Sequence, residues 1–265
     1  MRLEGKTVLL TGATGGLGAA IARALSGRGA TLVLSGRRTE ALSELADALP
    51  GAHRVVAADL AQEGAADRLA ADAGEIDCLV ANAGLPGTGA VESFSTDELQ
   101  RALRVNLEAP MILARALARP MKDRGEGHLV FVSSLAGKAP SPRTAIYAAT
   151  KFGLRGFALC LRADLAGTGV GVSLVVPGFI RDAGMFADSG AKPPPGLGTS
   201  TPEQVAAGIV KAIEHDRVEV AVAPLRQRAL AHLGLASPRV AMRAIVAGTA
   251  KRTANRVAEG QANKR

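Results

Sequence analysis

The hydrophobic positions of this chain fall into short continuous runs, separated by longer stretches where apolar residues recur every three or four positions. The runs KTVLLTG (6–12), TLVLSG (31–36), HRVVAADL (53–60), IDCLVANAG (76–84), GHLVFVSS (127–134), VGVSLVVPG (170–178) and RVEVAVAP (217–224) read as strands. Their centres, VLL, LVL, CLV and LVFV, are apolar on consecutive residues, as strands covered on both faces require. Helical patterns lie between them at 15–29, 39–50, 62–73, about 95–121, about 145–166 and 201–215. Ser95 and Glu98 form a capping-box pattern. Pro50 stops the second helix, and Thr201 with Pro202 opens the last. Regular strand–helix alternation predicts an α/β fold: one doubly wound parallel sheet with helices on both faces and right-handed crossovers. Two stretches break the rhythm. Residues 182–200 are rich in Gly and Pro, a length of loop that usually serves as a lid or a linker. Residues 224–265 form a basic helical tail after a body of 1–223.

Composition narrows the classes. Of 265 residues, 48% are hydrophobic, enough for a large core, yet no run of 18 apolar residues suggests a membrane span. The N-terminus lacks a signal-peptide pattern, so a cytoplasmic protein is expected. Cys78 and Cys160 both read as small buried apolar residues, and the four histidines have no ligand spacing, so no metal site is expected. The net charge of +8 is a property of the tail, which holds nine of the 32 bases and one of the 24 acids. The body is balanced at 23 of each, which argues against a nucleic-acid partner.

After the first strand comes TGATGGLG, Thr11 to Gly18, opening a helix. Glycines let the backbone approach a pyrophosphate, and the helix N-terminus offers N–H groups and a positive dipole end. In this strand–turn–helix context the motif predicts a Rossmann-type dinucleotide site. The second strand ends in Ser35, Gly36, Arg37 and Arg38. No carboxylate stands there to bond the ribose 2′-hydroxyl of NAD, whereas two guanidinium groups can grip a 2′-phosphate. NADP(H) is therefore the expected cofactor, with NAD(H) the alternative. Asp59 at the end of the third strand can accept from an adenine amino group.

Tyr147 is the only tyrosine in the chain. It stands four residues before Lys151, so the two share one face of a helix. A phenol ordinarily has a pKa of about 10. A nearby ammonium, and an oxidised nicotinamide, would lower it and suit Tyr147 to proton transfer at neutral pH. Pro110 lies four residues after Asn106 and has no N–H, so it leaves the Asn106 carbonyl without its helical donor.

Together these residues resemble the standard branch of the short-chain dehydrogenase/reductase family. The matches are TGATGGLG at 11–18, DL at 59–60, NAG at 82–84, Asn106, Ser134, YAATK at 147–151 and PG at 177–178, spanning roughly 5–220. The 13-residue step from Ser134 to Tyr147 selects Ser134 over Ser133. The resemblance implies hydride transfer between a nicotinamide and an alcohol or carbonyl. It implies Asn106, Ser134, Tyr147 and Lys151 as catalytic residues, with the Asn106 carbonyl holding a relay water. It implies cofactor contacts at Gly12, Thr14, Gly15, Gly16, Leu17, Gly18, Arg37, Arg38, Asp59, Leu60, Asn82, Ala83, Gly84, Tyr147, Lys151, Pro177, Gly178 and Ile180. It also implies a homodimer or homotetramer paired through the helices carrying Asn106 and Tyr147. One departure stands out: four residues after Gly178, where the family commonly has threonine, this chain has Asp182, with Arg181 beside it to offset the charge.

The lid contributes Met185 and Phe186, which favours a small-molecule apolar carbonyl or alcohol substrate. In the tail, Val240, Ile245, Val246 and Val257 mix with Arg239, Arg243, Lys251, Arg252 and Arg256, interrupted at Gly234, Pro238 and Gly248. Such a segment packs on the body, joins copies, or lies on an anionic membrane surface. Two further readings stay open: a non-catalytic NADP(H) sensor on the same fold, and a membrane-peripheral reductase of lipid-type carbonyls.

Overall fold

The structure is a computed structural model that describes residues 1–237, 239–240, 242–243 and 250–264. In chain order the elements are β1 (Thr7–Thr11), α1 (Gly16–Ser26), β2 (Thr31–Gly36), α2 (Thr39–Asp47), β3 (Arg54–Ala57), α3 (Ala65–Asp72), β4 (Cys78–Ala81), α4 (Thr96–Leu103), α5 (Ala109–Arg124), β5 (Gly127–Val132), α6 (Ala145–Asp164), β6 (Val170–Pro177), α7 (Met185–Asp188), α8 (Pro202–Glu214), β7 (Glu219–Val222), α9 (Leu225–Ala236) and α10 (Ala250–Gln261).

The seven strands form one parallel sheet in the order β3-β2-β1-β4-β5-β6-β7. The order reverses between β1 and β4, and ligands bind such sheets in the crevice beyond the strand ends at that switch point. Successive strand residues point to opposite faces, so two cores arise. Val8, Leu10, Leu32 and Leu34 pack with α1 and α8 on one face. Leu9, Val33, Leu79 and Phe131 pack with α3, α5 and α6 on the other. All six residues of β5 are buried. Trimming Phe131 to alanine would cost about 3–5 kcal/mol.

Local chemistry sets the helix ends. Ser95 Oγ accepts from the Glu98 N–H at 3.2 Å, while the Ser95 N–H donates to Glu98 Oε2 at 2.8 Å. Thr201 and Gln204 form the same reciprocal cap on α8. The helix expected over 95–121 is divided: α4 and α5 are joined by a π-helical turn, Arg104–Glu108, just before Pro110. A π turn re-registers the hydrogen bonds where proline removes a donor. β3 stops at Ala57, so Asp59 and Leu60 lie in the turn beyond the strand.

Three expectations need correction or delimiting. Cys78 is buried, but Cys160 is exposed. The buried stripe of α6 runs through Leu154 and Ala158, and two residues further on the helix has turned its face to solvent. Gly234 does not interrupt the tail; it lies inside α9, close against Ala139. Pro238, Ile245, Val246 and Gly248 lie outside the described residues.

Candidate active site

The glycine turn is built for close approach. Gly12 has φ +67°, and a Cβ there would lie 2.9 Å from Ala83 Cα. A Cβ on Gly18 would lie 2.1 Å from the Gly12 carbonyl oxygen. α1 follows Gly15 with no side-chain cap and no acid in its first turn, unlike α4 and α8. Its first N–H groups therefore suit an anion. Thr11 completes this edge: its hydroxyl accepts from the Asn82 and Ala83 N–H groups at 3.1 and 3.0 Å. Asn82 Nδ2 donates to the Thr11 and Gly12 carbonyls at 3.1 and 3.3 Å. The NAG segment is thus bolted to the glycine turn, with Gly84 next in line.

Arg37 and Arg38 are both exposed, and Arg38 Nη2 donates to the Thr14 carbonyl at 3.0 Å. That bond places a guanidinium beside the turn. Asp59 Oδ1 accepts from the Ala61 N–H at 3.1 Å, and Leu60 is buried.

Asn106, Ser134, Tyr147 and Lys151 converge beyond β4 and β5. Asn106 is fully buried in the π turn. Its Oδ1 accepts from the Leu85 N–H at 2.7 Å and its Nδ2 donates to the Leu85 carbonyl at 2.9 Å. Ser134 follows β5 in extended conformation, accepts from the Ala136 N–H at 3.1 Å, and hydrogen-bonds the Tyr147 phenol. Ser133 instead faces inward and donates to the Lys151 carbonyl at 3.1 Å. Lys151 Nζ donates to the Val132 carbonyl at 3.0 Å and lies 5.6 Å from the centre of the Tyr147 ring.

Burial dominates the electrostatics. It pushes the Tyr147 phenol up to about 12, against the smaller downward pull of the Ser134 hydrogen bond. It brings the Lys151 ammonium down to about 8. The sequence led to the opposite expectation for the phenol. In the structure the Lys151 ammonium is spent on a backbone carbonyl, and desolvation outweighs it.

The segment after Gly178 covers this ground. Ile180 bridges to Ser200, and α7 gives the loop a short helix. Phe179 and Phe186 pack as a tilted ring pair with centroids 4.6 Å apart. Met185 Cε lies 3.1 Å from where a Gly84 Cβ would be, a point also 3.3 Å from Asn106 Oδ1 and 3.9 Å from Lys151 Nζ. Asp182 adopts φ +71° and pairs with Arg181 at 3.2 Å, so its charge is offset as the sequence suggested.

Two glutamines that the sequence did not single out fasten this cover. Gln227 of α9, 4% exposed, accepts from the Phe179 N–H at 3.2 Å and donates to the Leu197 and Gly198 carbonyls at 3.2 and 2.8 Å. Gln261 of α10 donates to the Met185 carbonyl at 2.9 Å. These partners lie 29 to 76 positions away in sequence, and no local pattern signals them. Thr150, also unmarked, donates to the Tyr147 carbonyl at 2.8 Å and accepts from Asn106 Nδ2 at 3.4 Å. Among the described residues there is no cluster able to hold a metal.

Comparison with known proteins agrees with this geometry. Residues 6–193 match the family model described as short chain dehydrogenase. The ketoacyl reductase HetN of Nostoc sp. is 40% identical over 227 residues, which cover 83% of this chain and 79% of that relative. The 3-oxoacyl-(acyl-carrier-protein) reductase FabG of Rickettsia felis is 34% identical over 179 residues, 68% of this chain and 74% of that relative. A metagenomic short-chain oxidoreductase solved in complex with NADP superposes with a TM-score of 0.70 at 33% identity, covering 84% of this chain and 98% of that one. A short-chain dehydrogenase from Sphingobium yanoikuyae in complex with NADPH gives 0.76 at 27% identity, covering 88% and 95%.

Proposed function

This chain belongs to the short-chain dehydrogenase/reductase family of NAD(P)-dependent oxidoreductases, and on that premise we propose that it works with NADP(H) on an apolar carbonyl or alcohol, with Tyr147 as general acid and base. The observation that carries the reading is the joined set of Ser134, Tyr147 and Lys151 beside Asn106, reached from the glycine turn.

The chain's residues fit the cofactor. Gly12 to Gly18 and the start of α1 would hold the pyrophosphate, and Arg38, with Arg37, a 2′-phosphate. Asn82 to Gly84 and Lys151 would hold the nicotinamide ribose, and Pro177, Gly178 and Ile180 would flank the ring. Held there, a nicotinamide would supply hydride exchange with the substrate carbon. Ser134 and Tyr147 hydrogen-bond the substrate oxygen. With its pKa near 12, Tyr147 keeps its proton at neutral pH and gives it to that oxygen as negative charge develops. In the reverse direction Tyr147 takes the proton, and the Lys151 ammonium limits the cost of the phenolate. The buried Asn106 fixes the π turn on which a proton path from Lys151 would run.

The cover of Phe179, Met185 and Phe186 supports an apolar substrate. The printed names of the relatives make a 3-oxoacyl thioester the first compound to try. Met111 and Phe152, exposed on α5 and α6, support pairing of two copies through those helices. The test of the nucleotide reading is titration with NADPH and NADH, followed by nicotinamide fluorescence in a protein without tryptophan. Tighter NADPH supports it, and binding of neither overturns it. A non-catalytic sensor would bind NADPH and turn over no carbonyl.

A further inference from the structure

A helix on a protein surface ordinarily turns its large apolar residues inward. α9 does the reverse. It buries Gln227, Ala231 and Gly234, a narrow stripe set against the Gly178 turn and Ala139. Its leucines face out: Leu225 is 77% exposed, Leu230 47%, Leu233 38% and Leu235 40%. Val240 and Met242 are exposed as well, so six of the eleven exposed large apolar residues among those described lie between 225 and 242. Arg226, Arg228, Arg239 and Arg243 are exposed among them. No Asp or Glu occurs between Glu219 and Glu259.

We propose that α9, with Arg239, Val240, Met242 and Arg243, forms a docking surface for an anionic membrane interface. The leucines enter the boundary between headgroups and acyl chains, and the arginines meet the lipid phosphates. The charge pattern decides against a second copy of this patch as the occupant: face to face, the arginines would meet with no acid to pair them. A nucleic acid would satisfy the arginines but leave the leucines wet, and no aromatic residue lies beyond Phe186 to stack on bases. No helix among the described residues is long and apolar enough to span a bilayer, so the contact is one of lying on the surface. Gln227, on the buried side of the same helix, holds the Phe179 turn and the Leu197–Gly198 end of the cover. Docking therefore brings the cover beside the lipid, where an apolar carbonyl compound would be dissolved. That last link rests on the proposed function; the binding itself does not.

The test is co-sedimentation of the full chain with vesicles of phosphatidylcholine alone and with phosphatidylglycerol added. Binding should favour the anionic vesicles and weaken as salt rises. Leu230→Gln with Leu233→Gln should lower vesicle affinity about tenfold or more. Arg226→Gln with Arg228→Gln should lower it roughly tenfold at low salt and little at high salt. Both variants should keep the wild-type Tm and NADPH binding. If the double leucine variant does not fold, Leu225→Gln reads the same surface. No sedimentation with either vesicle overturns the proposal, as does unchanged binding of the leucine variants. So does light scattering that shows those variants dissociating an oligomer, which would give the patch to a second copy. Failure to bind NADPH would remove the catalytic reading and leave the sedimentation result standing.

Discussion

Asn106 and Leu85 exchange two hydrogen bonds, Leu85 N–H to Asn106 Oδ1 at 2.7 Å and Asn106 Nδ2 to the Leu85 carbonyl at 2.9 Å. One side chain thereby imitates a strand partner for the backbone just past the NAG segment. It also ties the π turn before Pro110 to the end of β4. Asn106→Leu keeps the branched shape and leaves both part-buried Leu85 groups without these partners. The expected loss is about 2–5 kcal/mol, read as a lower urea midpoint at unchanged slope. A midpoint within error of wild type would show that the pair does not organise this edge.

Arg38 tests cofactor choice. Its guanidinium is held beside the glycine turn by the Thr14 carbonyl. A charge-assisted bond to a 2′-phosphate contributes roughly 1.5–3 kcal/mol. Arg38→Gln should weaken NADPH about tenfold or more and leave NADH nearly unchanged. Equal loss for both nucleotides would assign Arg38 to the turn's structure.

His128 sets an acid limit on stability. It is 2% exposed in β5, with Nε2 2.8 Å from Ser173 Oγ. That hydroxyl gives its single proton to the Arg217 carbonyl at 2.6 Å, so Nε2 carries the hydrogen and donates. Burial brings the imidazole down to about 4, with Asp216 pulling upward and Arg162 pushing down. Between about 4 and the unfolded value near 6.5, the unfolded chain binds a proton that the folded one refuses. Stability is complete above pH 6.5 and falls as pH drops toward 4, by on the order of 3 kcal/mol. His128→Gln, which can still donate to Ser173, should flatten Tm against pH over that window. An unchanged slope would place the acid sensitivity elsewhere.

Much of this was legible in the sequence because the signals were local. Strands buried on both faces spelled themselves as VLL, LVL and LVFV, and the Ser95–Glu98 box lay three residues apart. The i, i+4 spacing of Tyr147 and Lys151 fixed their common face. What the sequence misjudged depends on the folded surroundings. Cys160 turned outward because the register of α6 follows Leu154 and Ala158. The Tyr147 phenol rose instead of falling, since its burial comes from tertiary packing and Lys151 was bonded to Val132. Gln227 and Gln261 act across long separations in chain, so nothing near them in sequence announces the cover they hold. Pro110 marked the break in its helix, but not that the chain would answer with a π turn.

The measurement closest to the central claim is made on Tyr147→Phe. NADPH binding is followed by fluorescence, and NADPH consumption with a 3-oxoacyl thioester by absorbance. The substitution removes the hydroxyl and its bond to Ser134 and leaves the ring and Lys151 in place. The account predicts NADPH affinity within about twofold of wild type and turnover lower by roughly 10²–10⁴, the usual worth of a positioned proton donor. Turnover near the wild-type rate in a variant that still binds NADPH would contradict it.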